Sequence, residues 1–491
     1  MKHLKTFLLI LLLIPCAFVF NACSFLEDEQ VYVTDIVQTE EVGDYATYTI
    51  YYSNGETALF TVKNGKDGQD GNSPEIRDIY NEYVAQYGNI SYQDFLNKYL
   101  SINENLSNKE NTIQDATNIA MKSAVTIWCE HKTSDVGGTN KDLTIACGAG
   151  VIYKVEETYS YIVTNYHVIY YKDSNASNKL ASKIHIFQYG TEDKYYNKTV
   201  DDGNGNYKQV YDAQGYPEVV YGYGAIEATY VGGEMTYDLA VLKVPTAELR
   251  KYFENFSAVE VADGYELAET AIAIGNPEMM GFSVTSGIIS VVSEELKMKG
   301  PDETTNCEFR VMRIDTAVNG GNSGGGLFNI SGEWIGIVNA KAVSSDIDNI
   351  AYAIPYENVV AIVENILYYY NGTIPCGAKK LVLGITYFGE NSHAIYDPNT
   401  NRTTIYDDLE IKTVTEGSMA KSIGLEVGDI IKALSINGVE YQITRSYILP
   451  DLLLTVRAGD KIMFTIKRGT DTIQRGLTTT EGIPENYLQD V

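Results

Sequence analysis

Cysteine is scarce, six residues in 491, which excludes a small scaffold held together by disulfides. Positive charge is scarce too: 37 Lys and Arg stand against 65 Asp and Glu, a net of −28. A phosphate backbone demands a basic footprint, so nucleic acid is excluded as a partner. Anionic lipid would repel the chain unless something other than charge held it there. No long apolar run is present. Phe7–Phe20 would span about 21 Å as a helix, short of a hydrocarbon core of ~30 Å. His3, His131, His185 and His393 lack metal-ligand spacing. What is present is 44% hydrophobic residues with 21% charged, enough for large cores and against a disordered chain. The length suggests roughly two to five domains. Tyrosine, at 39 residues, is in excess.

The chain opens with a positive Met1–Lys5, the apolar stretch, and Asn21-Ala22-Cys23-Ser24. That pattern fits a secretory signal better than a spanning helix. It resembles a bacterial lipoprotein signal, with Phe20 where the box usually has leucine. The resemblance implies removal of residues 1–22 and lipidation of Cys23; the alternative is an ordinary signal in which Cys23 is incidental. Loss of Lys2 and Lys5 would leave a net of −30, so lipid would be the anchor at the outer face of a bacterial membrane.

Beyond the signal, residues 23–71 divide into a tether, alternating runs from Val31 to Lys63 with a turn at Ser53-Asn54-Gly55, and a Gly-rich linker. Its acids lack the glutamate that would close a calcium loop. Residues 72–111 show helical spacing and read as a spacer. From 112 to 371 short β-rich runs recur, the pattern of a barrel or sandwich. A further unit covers 377–480, and 481–491 reads as a loose tail.

Three segments of the long β region carry chemistry: Thr164-Asn-Tyr-His167-Val-Ile, Tyr237-Asp238-Leu-Ala-Val-Leu, and Asn319-Gly-Gly-Asn-Ser323-Gly-Gly-Gly326. A serine hydroxyl is a weak nucleophile at neutral pH. An imidazole can take its proton, and a buried carboxylate can hold that imidazole in the right tautomer. Glycines around the serine let backbone N–H groups converge on one point, as an oxyanion requires. Each segment alone is ordinary: a structural histidine, a strand-opening aspartate, a glycine loop or phosphate-binding nest. The order His, Asp, Ser within one β region is that of the chymotrypsin arrangement.

Those segments, with Cys147–Tyr153, Ala273-Ile-Gly-Asn-Pro277, Val284–Ser290, Asp315–Leu327 and Tyr352-Ala-Ile-Pro355, resemble in order the trypsin-like serine endopeptidases of the HtrA/Deg group. The resemblance implies a mostly β chain with a chymotrypsin-like double β-barrel. It makes His167 the general base, Asp238 its orienter and Ser323 the nucleophile, with Gly321 and Ser323 N–H as oxyanion hole. It places Ala317 at the base of the specificity pocket and Val338-Asn339-Ala340 along one wall. An uncharged base argues for cleavage after small or medium aliphatic residues. Leu383-Gly-Ile-Thr386, Gly424–Ile431 and Gly459–Gly469 resemble a bacterial PDZ domain. Such a domain takes C-terminal peptides by strand addition, with Leu383, Gly384 and Ile385 as carboxylate loop and strand. The chain's own Tyr487–Val491 is a candidate ligand for it.

The expected partners are therefore polypeptide substrates, C-terminal peptides and, through Cys23, a membrane; the family suggests a homotrimer. The mechanism requires no cofactor or metal. The Tyr-rich stretch 189–224 reads as an extra hairpin or loop beside the cleft. Cys129 and Cys147 are expected on neighbouring strands, as a disulfide or as free buried thiols. Rival readings are a regulatory protease with one client and a non-catalytic surface chaperone or adhesin on the same fold.

Overall fold

The computed structural model describes residues 33–42, 45–52, 55, 57–63, 111–135, 140–341, 350–398, 402–477 and 482–491. The expected signal, Cys23, the Gly-rich linker and the spacer up to residue 110 lie outside these. The chain forms two compact units, Met1–Lys109 and Glu110–Val491.

In the first unit the alternating runs form an antiparallel sheet, β1 (Val33–Val42), β2 (Tyr45–Tyr52) and β3 (Thr57–Lys63), in that order. Gly55 between the last two has φ +82°, the left-handed geometry a tight hairpin turn asks for.

The second unit opens with α1 (Ile113–Ala120). Thr112 Oγ1 accepts from Asp115 N at 3.1 Å while the Asp115 carboxylate accepts from Thr112 N, a reciprocal cap. Next come β4 (Ala124–Ser134), β5 (Lys141–Val155), β6 (Tyr159–Thr164) and β7 (Lys183–Gln188). The Tyr-rich insertion adds β8 (Tyr195–Asn197), β9 (Thr199–Asp201), β10 (Tyr207–Gln209) and β11 (Val219–Tyr221). β12 (Ile226–Glu234) and β13 (Leu239–Pro245) complete a closed barrel in the order β12-β13-β6-β5-β4-β7. A second closed barrel is built from β14 (Thr270–Gly275), β15 (Ser283–Lys299), β16 (Asn306–Ile314), β17 (Gly326–Phe328), β18 (Trp334–Lys341) and β19 (Ala351–Pro355). Val151 and Val163 of the first barrel and Ile274 and Phe328 of the second belong to one buried cluster that joins them. The insertion is a nested double hairpin, β8 on β11 and β9 on β10, between β7 and β12.

After α2 (Tyr356–Tyr369) and β20 (Lys379–Leu381), an open sheet follows. It comprises β21 (Ile385–Asp397), β22 (Arg402–Val414), β23 (Ile430–Ile436), β24 (Val439–Gln442), β25 (Ile462–Arg468) and β26 (Asp471–Gly476). Its own core, including Leu409, Phe464 and Ile466, is capped by α3 (Ile448–Thr455). Asp451 of α3 meets Arg310 of β16 at 2.8 Å and accepts from Asn358 Nδ2 of α2 at 2.6 Å. The C-terminal residues depart from the loose tail expected of them. β27 (Leu488–Asp490) pairs antiparallel with β20, and Val491 N donates to Ala378 O at 3.1 Å. The tail thus lies on β20, not on Ile385, the partner proposed for it by self-binding.

Cys129 and Cys147 do lie on adjacent strands, but Trp128 is the residue opposite Cys147. Alternation along the pleat then sends the two sulfurs to opposite faces, and both thiols are free.

Candidate active site

The pairing of β6 with β13 puts Thr164 opposite Ala240, which brings the residues just outside each strand end together. His167 sits in the short helical turn Tyr166–Ile169 after β6. Asp238 ends the turn Met235–Tyr237 in left-handed geometry, φ 53°, just before β13. Its carbonyl accepts from Tyr166 N at 3.1 Å and Asn165 Nδ2 at 2.8 Å, tying both turns together. Its carboxylate, 3% exposed, accepts from His167 N at 2.9 Å and meets Nδ1 at 2.6 Å. With Nδ1–H donating to the carboxylate, Nε2 is the nitrogen left to act as a base. Burial pushes the His167 pKa down, but the charge and hydrogen bond of Asp238 more than offset it, leaving it raised.

Asn339 on β18 supplies a further donor: its Nδ2 reaches Asp238 Oδ2 at 2.7 Å. The sequence reading set this residue along a specificity wall, yet its side chain turns to the carboxylate. A lone polar residue inside the apolar run Ile335–Ala340 was the available signal, since a buried amide needs a partner. Val338 is buried in the second barrel's core. Ala317 is exposed, its carbonyl accepting from Thr285 Oγ1 at 2.9 Å. Ala340 pairs with Tyr352 on β19.

Ser323 lies on the turn before β17. Its carbonyl accepts from Ala149 N at 2.9 Å, tying the turn to the first barrel, and Gly324 N donates to Val338 O at 2.8 Å. Its hydroxyl donates to Asn339 O at 3.1 Å. The glycines answer to space as well as conformation. Gly321 has φ +97°, and a Cβ there would sit 1.9 Å from Asn276 O; at Gly324 it would sit 2.1 Å from Thr164 Oγ1. Among the described residues the N–H groups of Gly321 and Ser323 donate to no protein acceptor. His167, Asp238 and Ser323 line one cavity of about 460 Å³, with Val318, Asn319 and the hairpin tip Met298–Pro301.

In the C-terminal sheet, Leu383 is buried and Gly384 has φ +75°. Leu383 O accepts from Ala420 N at 2.9 Å and Gly384 O from Thr415 N at 2.8 Å. Ile385 opens β21, opposite Val414. The turn thus points its carbonyls inward.

Residues 148–337 match the family model described as a trypsin-like peptidase domain. Serine protease Do-like HtrB of Bacillus subtilis (strain 168) is 28% identical over 352 residues, 70% of this chain and 64% of the relative. Serine protease Do-like HtrA of the same organism is 27% identical over 347 residues, with 68% and 64% covered. The probable periplasmic serine endoprotease DegP-like of Buchnera aphidicola subsp. Schizaphis graminum is 30% identical over 272 residues, 53% of this chain and 50% of that one. The chain thus spans less than two thirds of the length of these relatives. A solved structure, the HtrA-type protease AlgW with tripeptide, aligns at 20% identity and a TM-score of 0.44 over 77% of this chain and 97% of its own. Over residues 148–337, therefore, the chain carries a trypsin-like peptidase domain, and it is similar to the HtrA-type serine proteases.

Proposed function

We propose that this chain is an exported serine endopeptidase of HtrA type, held at a membrane surface through lipid on Cys23 and acting on unfolded or specific exported proteins. The observation that carries the reading is the buried Asp238 carboxylate on His167 Nδ1 at 2.6 Å, with Ser323 in the same cavity. Nε2 takes the Ser323 proton as Oγ attacks the scissile carbonyl. The imidazolium is stabilised by Asp238 and returns the proton to the leaving amine; water then repeats the sequence on the acyl-enzyme. Gly321 N and Ser323 N would receive the oxyanion, each such donor contributing about 2.7–4 kcal/mol. Val318 in the cavity lining is apolar, which supports cleavage after small or medium aliphatic residues, whereas Glu278 in the same lining would favour a basic one; a peptide-library cleavage profile decides between them.

Residues 377–480 act in this reading as a PDZ domain, in which Leu383, Gly384 and Ile385 receive a peptide carboxylate and an added strand. The Ser323 hydroxyl is engaged by Asn339 O at 3.1 Å and must leave it before reaching Nε2. A fluorophosphonate probe should label the wild type at Ser323, faster with a C-terminal hydrophobic peptide, and should not label Ser323→Ala. Absence of labelling with every peptide tried would favour a non-catalytic chaperone or adhesin. Mapping cleavage sites in casein against a single membrane client would distinguish general from dedicated proteolysis.

A further inference from the structure

A chain of hydrogen bonds links the Tyr-rich insertion to the Ser323 turn, starting at Asp193. Asp193, just before β8, places Oδ1 2.5 Å from Trp128 Nε1 and Oδ2 3.1 Å from Asn276 Nδ2. Trp128 is only 2% exposed and is covered edge-on by Tyr195 of the insertion, ring centres 5.4 Å apart. Its indole therefore has a rigid seat and a fixed donor direction. Asn276 is fully buried. Besides Asp193 it engages the catalytic turn: Asn276 N donates to Gly321 O at 3.1 Å. Its Oδ1 accepts from Gly281 N at 2.7 Å, closing the loop in which it sits. The Asn276 carbonyl lies where a Gly321 Cβ would be, 1.9 Å from that point, so the two backbones are in direct contact. Both polar atoms of the Asn276 side chain are thus committed, and among the described residues its charged partner comes from the insertion.

We infer that Asp193 is a positioning residue for the oxyanion hole: through Asn276 it holds the Gly321 carbonyl, and so the Gly321–Asn322 peptide, beside the Gly320–Gly321 peptide that carries the donor and whose Gly320 O accepts from Glu278 N at 2.8 Å, while Trp128 holds Asp193. The inference rests on the proposed protease function and adds a residue to it. Asp193 touches neither substrate nor reacting atoms. A carboxylate suits the task because it accepts from both neighbours at once, with one oxygen for the indole and one for the amide. Cutting this support frees the Asn276 amide and lets the Gly321 N–H drift from the developing oxyanion. An error of about 1 Å in such a position costs roughly 100-fold in rate. Ground-state binding of the peptide does not use the donor and should be spared.

The test compares wild type, Asp193→Ala and the reciprocal pair Asp193→Asn with Asn276→Asp. In the pair the amide and carboxylate exchange places. Asn at 193 still accepts from Trp128 and donates to Asp at 276, which still accepts from Gly281 N. The assays are kcat and KM on a peptide substrate and inhibition by a peptide aldehyde, whose adduct with Ser323 carries an oxyanion. Asp193→Ala should lower kcat and weaken aldehyde inhibition by about 10- to 100-fold with KM within about twofold, and the pair should recover most of both. Equal losses in kcat and aldehyde affinity without recovery in the pair, or unchanged kinetics in Asp193→Ala, would overturn the inference. A wild type that neither cleaves nor binds aldehyde sinks the protease reading instead. The relay is then judged on the Trp128 indole N–H resonance, which must shift in Asp193→Ala and return in the pair.

Discussion

Asp238 accepts from three N–H groups, two on His167 and one on Asn339. In the proposed mechanism that makes it an orienter whose acceptor character matters more than its size. In Asp238→Asn the new amide would present a donor to Nδ1, forcing the proton onto Nε2 and removing the base. A loss of about 10⁴ in kcat is expected. The raised His167 pKa should fall in the same variant, because its principal support is gone, so the acid limb of kcat/KM should move to lower pH. Both can be read from one pH–rate profile. His167, Asp238 and Ser323 were legible because each lies in a contiguous motif whose residue types are dictated by the chemistry. Asn339 and Asn276 were quoted within motifs but not given these roles. Their partners, Asp238 and Asp193, lie 101 and 83 residues away, a separation no local pattern encodes.

Among the elements, β4 carries a hidden liability. His131 lies fully buried on it with no hydrogen bond at either ring nitrogen among the described residues, and burial lowers its pKa to about 4. The unfolded chain therefore binds a proton near pH 6.5 that the folded chain refuses until about pH 4. Stability from this group is complete above pH 6.5 and is lost as pH falls toward 4, a change of about 3 kcal/mol. Urea titrations at pH 7 and pH 4.5 should show the slope, and His131→Leu should flatten it. Most strand positions were readable from alternation, and their true ends run further than the apolar runs. β15, for example, extends from Ser283 to Lys299, well beyond the Val284–Ser290 motif. Its outer part is polar because it leaves the barrel as a hairpin, where pairing with β16 replaces burial as the reason to stay extended. The insertion's hairpins were foreseen as an element, but Asp193 was not singled out, because nothing local marks it as the residue that turns inward.

For the second unit as a whole, the contact between the barrels and the open sheet combines Leu454 of α3, which joins the barrels' core cluster, with a polar network around Arg310. Arg310 reaches Asp451 at 2.8 Å, Glu357 at 3.4 Å and Tyr265 Oη at 3.0 Å, while its guanidinium covers the Tyr447 ring. Removing one member strands the others away from water. Asp451→Ala should cost about 3 kcal/mol and split one calorimetric transition into two, with the open sheet melting apart from the barrels. The division into barrel pair and open sheet was visible in the change of motif near residue 377, whereas this junction was not, since it joins side chains 141 residues apart on elements that look self-sufficient. The two halves also differ in how they end. A closed barrel has every strand paired on both sides, but the open sheet terminates at β21 and β26. An unpaired strand edge accepts any extended chain that fits, another copy included. In concentrated solution the colloidal weak point of the folded molecule should therefore be the rim of the C-terminal sheet, and a short peptide that occupies β21 should slow the onset of turbidity.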